Sequence, residues 1–589
     1  MKTDWRHLWP ALAIFAIVVA VFGRALGFGF VLWDDPQYIR DNPLVQPQIP
    51  WPADGIFTPA LGYPIPVTMA IYRATALFFG VQPAAFHALN LLLHATNAAL
   101  FFFLLRRTTT LPAAWLGTAL WALHPLVVEP VVWCTGTKDL LYATGFLLTL
   151  HAGHARDRVP PWLLLVGLAA FLAKPTAVVL PLVLIWTVMV LQGREGLRRP
   201  GLALATAVLT VLAGAIFAAG LFLAAHAGAD GYTTLDATPT TLQGRFSGVL
   251  QALDLQFRHV VWPRGLLPQY FRLTDLQLSD PPLWRGLLAL IALIALLVRV
   301  WRAEDRHLRW WLGLAAITYA PVSQLVPIIR FTCDSYAYVP LACLSGLAAT
   351  ALAPYLNKRS TQGLAVAFCG GLAALTVAQQ TLWQDSLTLW GTNLAAEPHR
   401  ALLIKRYAES LDGEGRRGEA YTFLRPRLED VKRERVVDGM VLTVFADRAP
   451  LEEARALYAW AYANEPNLRP DAHRNFCTFL VQRQVQMTSE ERQNLTRALD
   501  ELRRYHARRE EIGALVALGT MAGDQRLWIP AGELLEQAYR LSHDPRHGQA
   551  AYTAYRAAGP SDSRASAGRD RLQRVQGAVP NPGSDLAPP

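Results

Sequence analysis

The sequence predicts an all-α membrane protein that crosses the bilayer about eleven times and continues into a soluble helical region. Three observations carry this. Hydrophobic residues fill 52% of the 589 positions and charged residues only 17%, too apolar a balance for a soluble chain of this length. The apolar residues also come in blocks. Finally, the arginines concentrate in short loops between alternate blocks, a pattern of membrane topology rather than of phosphate-backbone contact. The formal charge of +10 therefore gives no reason to expect a nucleic-acid partner.

A spanning helix needs about twenty mostly apolar residues, because the hydrocarbon offers no water to an unpaired backbone. The candidate cores run Leu8–Phe22, Phe86–Leu105, Pro112–Leu123, Leu140–Leu150, Trp162–Ala173, Ala177–Leu191, Leu202–Leu223, Leu287–Val300, Trp311–Val326, Tyr336–Leu352 and Leu364–Val377. The first follows Lys2 and Arg6. Gly23-Arg24-Ala25 makes a poor cleavage site after it, which favours an uncleaved span over a signal peptide. The third, fourth and fifth cores are short, so flanking residues complete them or they are re-entrant. Leu242–Val261 repeats apolar residues at helical spacing but also carries Arg245, Asp254, Arg258 and His259, which predicts a helix lying in the interface.

Orientation follows from the basic loops. Arg106-Arg107, Arg156 with Arg158, Arg194 with Arg198-Arg199, the cluster from Arg299 to Arg309, and Lys358-Arg359 fall on one side with the N-terminus, and that side is cytoplasmic. An odd number of spans places the chain after Val377 outside, in the periplasm of a bacterial inner-membrane protein or an equivalent lumen. Residues 1–383 form the membrane domain in this reading. Residues 384–559 form a periplasmic domain of amphipathic helices, and the Pro-, Ser-, Gly- and Arg-rich residues 560–589 are expected to be disordered. Leu451 to Pro466 looks like the second helix of a tetratricopeptide repeat, and Gly532 to Pro545 repeats the pattern. Pro398 and Pro466 stand two periods of about 34 residues apart. An unclassified helical bundle is the alternative. The five cysteines show no CxxC or Cys/His spacing and no even-numbered disulfide framework.

The polar residues hardest to explain fall on the outer side. After the first span comes Asp34-Asp35, with Tyr38, Arg40 and Asn42-Pro43 following. Adjacent carboxylates repel, which raises one pKa toward that of a general base, and such a pair can also hold a divalent ion. Alternatively, Asp34 merely caps the turn at Pro36. The second outer loop brings His124, Glu129, Lys138 and Asp139 to the edges of apolar stretches, where ionisable groups are costly and point to function. Lys174 sits in the turn Ala173-Lys174-Pro175. The chain has only six lysines. A compact ammonium at a helix end suits a phosphate, and snorkelling to the interface is the structural reading. A later outer loop supplies Arg330 and Asp334. No dinucleotide fingerprint, phosphate-binding loop or nucleophile elbow is present, so any donor is expected to reach the outer face already attached to a lipid.

Taken in order, Trp33-Asp34-Asp35 with Tyr38 and Asn42-Pro43, Leu89-Asn90 with His94-Ala95, His124-Pro125 with Glu129 and Lys138-Asp139, then Ala173-Lys174-Pro175 resemble one family. It is the transmembrane and tetratricopeptide-repeat-containing O-mannosyltransferases, with their bacterial relatives in the GT-C glycosyltransferase superfamily. Gln380 to Trp390 is similar to that family's junction with its repeats. The resemblance implies a GT-C-type enzyme that moves a sugar, mannose in eukaryotic members, from a polyprenyl-phosphate donor to a protein, glycan or lipid acceptor on the outer face. It maps the family's acidic signature onto Asp34 and Asp35. Lys174 and Arg330 are then candidates to neutralise the leaving phosphate. Glu129, His124, Lys138, Asp139 and Tyr38 become candidates to shape the substrate site, and no metal ligand is assigned. The repeat surface suits an extended peptide or protein partner. One departure stands out: relatives carry an arginine between the acidic residue and Tyr-x-Tyr, and here the stretch reads Asp334-Ser335-Tyr336-Ala337-Tyr338.

Two other classes compete. A transporter predicts charges within several spans and paired internal repeats, whereas these charges gather at loop ends. A non-catalytic scaffold for envelope assembly fits the repeat region and the serine at 335.

Overall fold

The computed structural model describes residues 9–49, 64–155, 158–226, 242–271, 276, 279–325, 328, 330–434, 436–464, 515–516, 519–520, 522–523, 526, 528–542, 545–559 and 562–576. Among the described residues the chain is helical, with no β-strand. It divides into two compact units, Met1–Ala396 and Glu397–Pro589.

The first unit contains α1 (Trp9–Phe22), α2 (Pro66–Phe79), α3 (Pro83–Leu105), α4 (Leu111–Ala122), α5 (Val128–Val132), α6 (Thr137–His154), α7 (Trp162–Ala173), α8 (Leu180–Gly196), α9 (Leu202–His226), α10 (Leu242–Val261), α11 (Pro281–Arg302), α12 (Arg306–Tyr319), α13 (Tyr338–Leu352) and α14 (Arg359–Gln380). Each of the eleven apolar cores overlaps one of these helices; Leu8 and Val326 lie outside the described residues.

Among the described residues, six helical stretches are long and apolar enough to cross a membrane: Trp9–Gly27, Pro83–Leu105, Pro175–Gly196, Pro281–Arg302, Asp334–Tyr355 and Arg359–Trp383. Leu111–Ala122 and Pro125–Val132, bent by 54°, add a seventh if they form one span. The protein is thus a multi-pass membrane protein; among the described residues six or seven spans meet these criteria, against the eleven counted from hydropathy. Three of the other cores are broken or shortened locally. Pro125, which lacks an N–H, breaks the helix after α4. Lys138 and Asp139 occupy the first turn of α6. Lys174-Pro175 stops α7 at twelve residues.

Helix α3 packs on α1, α4 and α6. Asn97 on α3 donates to the Leu140 carbonyl at 3.0 Å and accepts from Thr144 at 2.8 Å, interhelical bonds of the kind that hold helices together without water. At the α6–α7 crossing, a Cβ on Gly145 would stand 2.7 Å from the Ala170 methyl, so only glycine permits that approach.

Helix α2 was not anticipated from the sequence. Its buried Arg73 donates to the carbonyls of Leu44, Gln46 and Ile49 at 3.1, 2.6 and 2.8 Å, pinning the loop that follows Asp34-Asp35. A second set of bonds latches the same loop to the end of the unit. The Gly29 N–H donates to the Gln384 carbonyl at 3.1 Å, the Leu32 N–H to Ser386 Oγ at 2.8 Å, and Trp390 Nε1 to the Leu32 carbonyl at 3.0 Å. Residues 384–396 therefore fold with the first unit, which ends at Ala396.

The second unit contains helices Ala401–Gly413, Arg417–Leu424, Leu428–Arg433, Gly439–Arg448, Leu451–Asn464, Trp528–Ser542, Pro545–Ala557 and Ser563–Gln576. Asp438 caps Gly439–Arg448 by accepting from the N–H groups of Met440 and Val441. Ala401–Gly413 packs on Arg417–Leu424, with Gly415 between them at φ +75°. Pro466 and Cys477 lie outside the described residues. The segment expected to be disordered from residue 560 instead begins with the helix Ser563–Gln576, which buries Ala565 and Leu572 beside Tyr555 and Leu535. Its arginines masked that apolar pair in the sequence. One of them, Arg571, bonds the buried Glu536 at 2.9 Å. Residues 577–589 lie outside the described part.

Candidate active site

The two carboxylates of the acidic pair meet different partners. Asp35 is buried, and both its oxygens accept backbone N–H bonds: Oδ2 from Val31 at 2.9 Å and Oδ1 from Thr135 at 3.2 Å. Burial pushes its carboxyl up to about 7, and the neighbouring Asp34 adds to the rise against the lowering by the two N–H bonds. Asp34 turns the other way, with Oδ2 3.5 Å from Lys138 Nζ. That ammonium lies 4.8 Å from the centre of the Tyr38 ring and 5.3 Å from that of Trp133, a cation held against aromatic faces.

The turn that supplies the Thr135 N–H is itself built. Asn90 Nδ2 on α3 donates to the Trp133 carbonyl at 2.8 Å, and the Thr137 hydroxyl donates to Asn90 Oδ1 at 2.6 Å. Gly136 permits the turn Cys134–Gly136, since a Cβ there would run into the Pro130 carbonyl.

Two more ion pairs adjoin. Lys174 Nζ bonds Asp139 Oδ1, with both side chains largely buried, and the same ammonium faces the Tyr336 ring at 5.8 Å. Arg330 Nη1 donates to Glu129 Oε1 at 2.8 Å, and its Nη2 donates to the Pro268 carbonyl. The other Glu129 oxygen accepts the Asp334 N–H at 3.0 Å. The Arg330 guanidinium also lies 4.4 Å from the centre of the Trp33 ring. Trp33 belongs to a cluster with Trp133, Trp383 and Trp390 at ring-centre distances of 5.2, 6.2 and 5.1 Å. Asp334 accepts from the Tyr270 hydroxyl at 2.8 Å. His259 Nδ1 stands 3.9 Å from it, but burial, with Arg258 beside it, pushes that imidazole down to about 4, so this contact carries no ion pair at neutral pH.

Of the residues singled out by sequence, Asp34, Asp35, Tyr38 and Lys138 form one group. Asp139 with Lys174 forms a second, and Glu129 with Arg330 a third. The three are contiguous through Lys138-Asp139, through Trp33 beside Asp34, and through Tyr336, whose hydroxyl donates to the Arg330 carbonyl at 3.4 Å. His124 stands apart in role. Its Nδ1 accepts the Leu126 N–H at 3.2 Å, so the proton sits on Nε2, which donates to the Val260 carbonyl at 3.2 Å. Both ring nitrogens are spent on backbone, and His124 caps the turn Pro125–Val127. Ser335 is buried with its Oγ 3.2 Å from Cys333 Sγ. Trp33, Thr135, Asn90 and Tyr270 were not given site roles from the sequence. The signal for Asn90 was available, as an amide inside an apolar helix. Among the described residues, no three His, Cys, Asp or Glu side chains are placed to hold a metal ion.

The chain is similar to human (Homo sapiens) protein O-mannosyl-transferase TMTC3, with 26% identity over 158 residues that make up 25% of this chain and 17% of the human protein. It is likewise similar to the TMTC3 of Mus musculus, with 28% identity over 145 residues, 23% of this chain and 15% of the mouse protein. The matches thus span about one sixth of the length of these curated relatives. No family model and no solved structure matches. The relationship to the transmembrane and tetratricopeptide-repeat-containing O-mannosyltransferases, read from the motifs, is supported by these matches.

Proposed function

We propose that this protein is a membrane glycosyltransferase that transfers a sugar, by relationship mannose, from a polyprenyl-phosphate donor directly to a hydroxyl of a protein or glycan acceptor. The observation that carries the proposal is Asp35: a buried carboxyl, aimed by two backbone N–H groups and pushed to about 7, where a general base is most effective near neutral pH. In this reading Asp35 takes the proton of the acceptor hydroxyl as its oxygen attacks the anomeric carbon. The bond from that carbon to the phosphate oxygen breaks, with inversion, and the lipid phosphate leaves with the electron pair.

The cations around the centre are pre-paired: Lys138 with Asp34, Lys174 with Asp139, Arg330 with Glu129. Pre-pairing fixes their positions, and an ammonium keeps donors beyond the one given to its carboxylate. Preorganised charge of this kind stabilises a leaving phosphate without reorganisation. We assign that role to Lys174 and Arg330, and assign Lys138 with Tyr38 to holding Asp34 away from Asp35. The finer architecture belongs to the same proposal: a GT-C-type domain whose shorter helices complete about eleven crossings, with the site and the tetratricopeptide-like unit on the periplasmic face of a bacterial inner membrane. The second unit then presents a surface for a peptide or protein partner.

The test is transfer from a polyprenyl-phosphate mannose to hydroxyl-bearing peptides by the purified full-length protein and by Asp35→Asn. Turnover that depends on Asp35 supports the reading. Turnover unchanged in the variant rejects it, and no turnover with any acceptor favours the scaffold. Reporters fused at Arg198 and at Asp412 test the topology: opposite sides are expected, and the same side overturns the odd span count.

A further inference from the structure

On α10, Asp254 is 2% exposed and accepts bonds from two arginines. Arg258 reaches it through Nε at 2.9 Å and Nη2 at 3.3 Å, and Arg285, from the first turns of α11, through Nε at 2.9 Å and Nη2 at 3.1 Å. One carboxylate neutralises one guanidinium, so the cluster keeps a surplus positive charge. Both arginines use the same edge for Asp254. The Nη1 edge of each is left directed away from it, on side chains 43% and 45% exposed. Two guanidinium groups held in fixed register, with little rotamer entropy left to lose, match the geometry of a phosphate.

The neighbouring residues set the depth of this cluster. Trp284 and Trp301 on α11 are exposed and stand seventeen positions apart, about 25 Å along a helix. Between them Leu288, Ile291, Ile294 and Leu297 are exposed. That is a lipid-facing belt of about hydrocarbon thickness, with a tryptophan at each boundary. Arg285, next to Trp284, therefore lies at headgroup level. At the end of α10, Phe257, Val261 and Trp262 are exposed, and the Arg264 guanidinium lies 5.0 Å from the Trp262 ring centre. A soluble phosphate gains nothing from such apolar flanks, whereas a lipid fits both the charge and the flanks.

We propose that Arg258 and Arg285, bridged by Asp254 and flanked by Trp262 and Trp284, bind the phosphate headgroup of an anionic bilayer lipid at the membrane surface. This site seats α10 in the interface on the side of the molecule where its end meets His124, through the Val260 carbonyl, and Asp334, through His259. The inference does not depend on the transfer reaction.

The experiment uses the full-length protein in neutral detergent with phosphatidylglycerol or phosphatidylcholine added, and counts retained lipid by native mass spectrometry. Wild type is expected to prefer phosphatidylglycerol. Arg285→Gln is expected to lower that preference about fivefold, the usual worth of one basic residue at a membrane surface, and Arg285→Lys to lower it less. Arg285→Gln leaves Asp254 paired with Arg258, so folding is preserved. An unchanged preference in Arg285→Gln overturns the proposal. Headgroup-photoreactive phosphatidylglycerol on the wild-type protein gives a readout without any variant. Labelling within residues 257–264 and 281–288 supports the site, and labelling confined elsewhere overturns it.

Discussion

Replacing Asp35 with asparagine tests its proposed role as general base through two readouts that must move in opposite directions. Burial moves the carboxyl from 3.8 to about 7, some three units at about 1.4 kcal/mol each. Holding its ionised form in the fold thus costs about 4 kcal/mol. Because the folded pKa lies above the unfolded one, this cost is absent below about pH 4, grows between 4 and 7, and is complete above the folded value. Asparagine is uncharged throughout and escapes it. Its amide nitrogen, however, must face one of the two N–H donors, Val31 or Thr135, now served by the carboxylate, and an unmet buried donor costs about 1–3 kcal/mol. The balance is a gain of about 1–3 kcal/mol at pH 8 and a loss of about the same size near pH 4. Thermal unfolding in detergent at the two pH values reads this directly. Over the same comparison, sugar transfer is expected to fall by about 10²–10⁴, the typical contribution of a positioned general base. A variant less stable than wild type at pH 8 would show that Asp35 is a structural tie, and transfer within tenfold of wild type would remove it from the chemistry.

Wild-type kcat/KM should fall about tenfold between pH 8 and pH 6, since a base with a pKa near 7 loses its ionised form there; a flat profile contradicts the assignment. Gly136→Ala should displace the turn carrying Thr135, and loss of that N–H, which lowers the Asp35 pKa, should move the acid limb to higher pH. Glu129→Gln strands the Arg330 charge and should cost about 3–5 kcal/mol. Glu129→Gln with Arg330→Met should recover most of that stability in thermal unfolding without recovering transfer. His124→Ala should lower stability by about 1–2 kcal/mol through the lost cap and bond while leaving kcat and KM unchanged, as its ring nitrogens face only backbone.

The helices were legible in the sequence wherever a long apolar run made them so, and α1, α3, α8, α11, α13 and α14 all lie where hydropathy placed them. Helix α2 was not, because Thr68, Arg73 and Thr75 interrupt its apolar face and its arginine is buried for the sake of loop carbonyls, a contact with no local signature. The charged loop residues were legible as residue types at costly positions. Pairings were not: Arg330 meets Glu129 across 201 positions and Lys174 meets Asp139 across 35, distances over which periodicity says nothing. The sequence argument expected mutual repulsion to raise one carboxyl of the pair; in the structure burial raises the Asp35 pKa more than Asp34 does. The bonds of His124 to the Leu126 N–H and the Val260 carbonyl had no signature in the sequence, because a histidine beside a proline at a membrane edge reads alike whether it serves a ligand or a turn.

The latch between residues 29–32 and residues 384–390 has a consequence for biosynthesis. The loop bearing Asp35 leaves the ribosome early, but the segment that fastens it is made some 350 residues later. Until Ser386 and Trp390 arrive, Leu32 has neither of these partners and Trp33 lacks two of its stacking neighbours. A nascent chain stalled within its membrane helices would therefore carry the Asp35 loop unfastened, and under the proposed role of Asp35 activity would switch on only once the last helix had been completed. For the same reason, a membrane fragment cut at residue 380 should be inactive even if every helix inserts, whereas one extended to Ala396 retains the fastening.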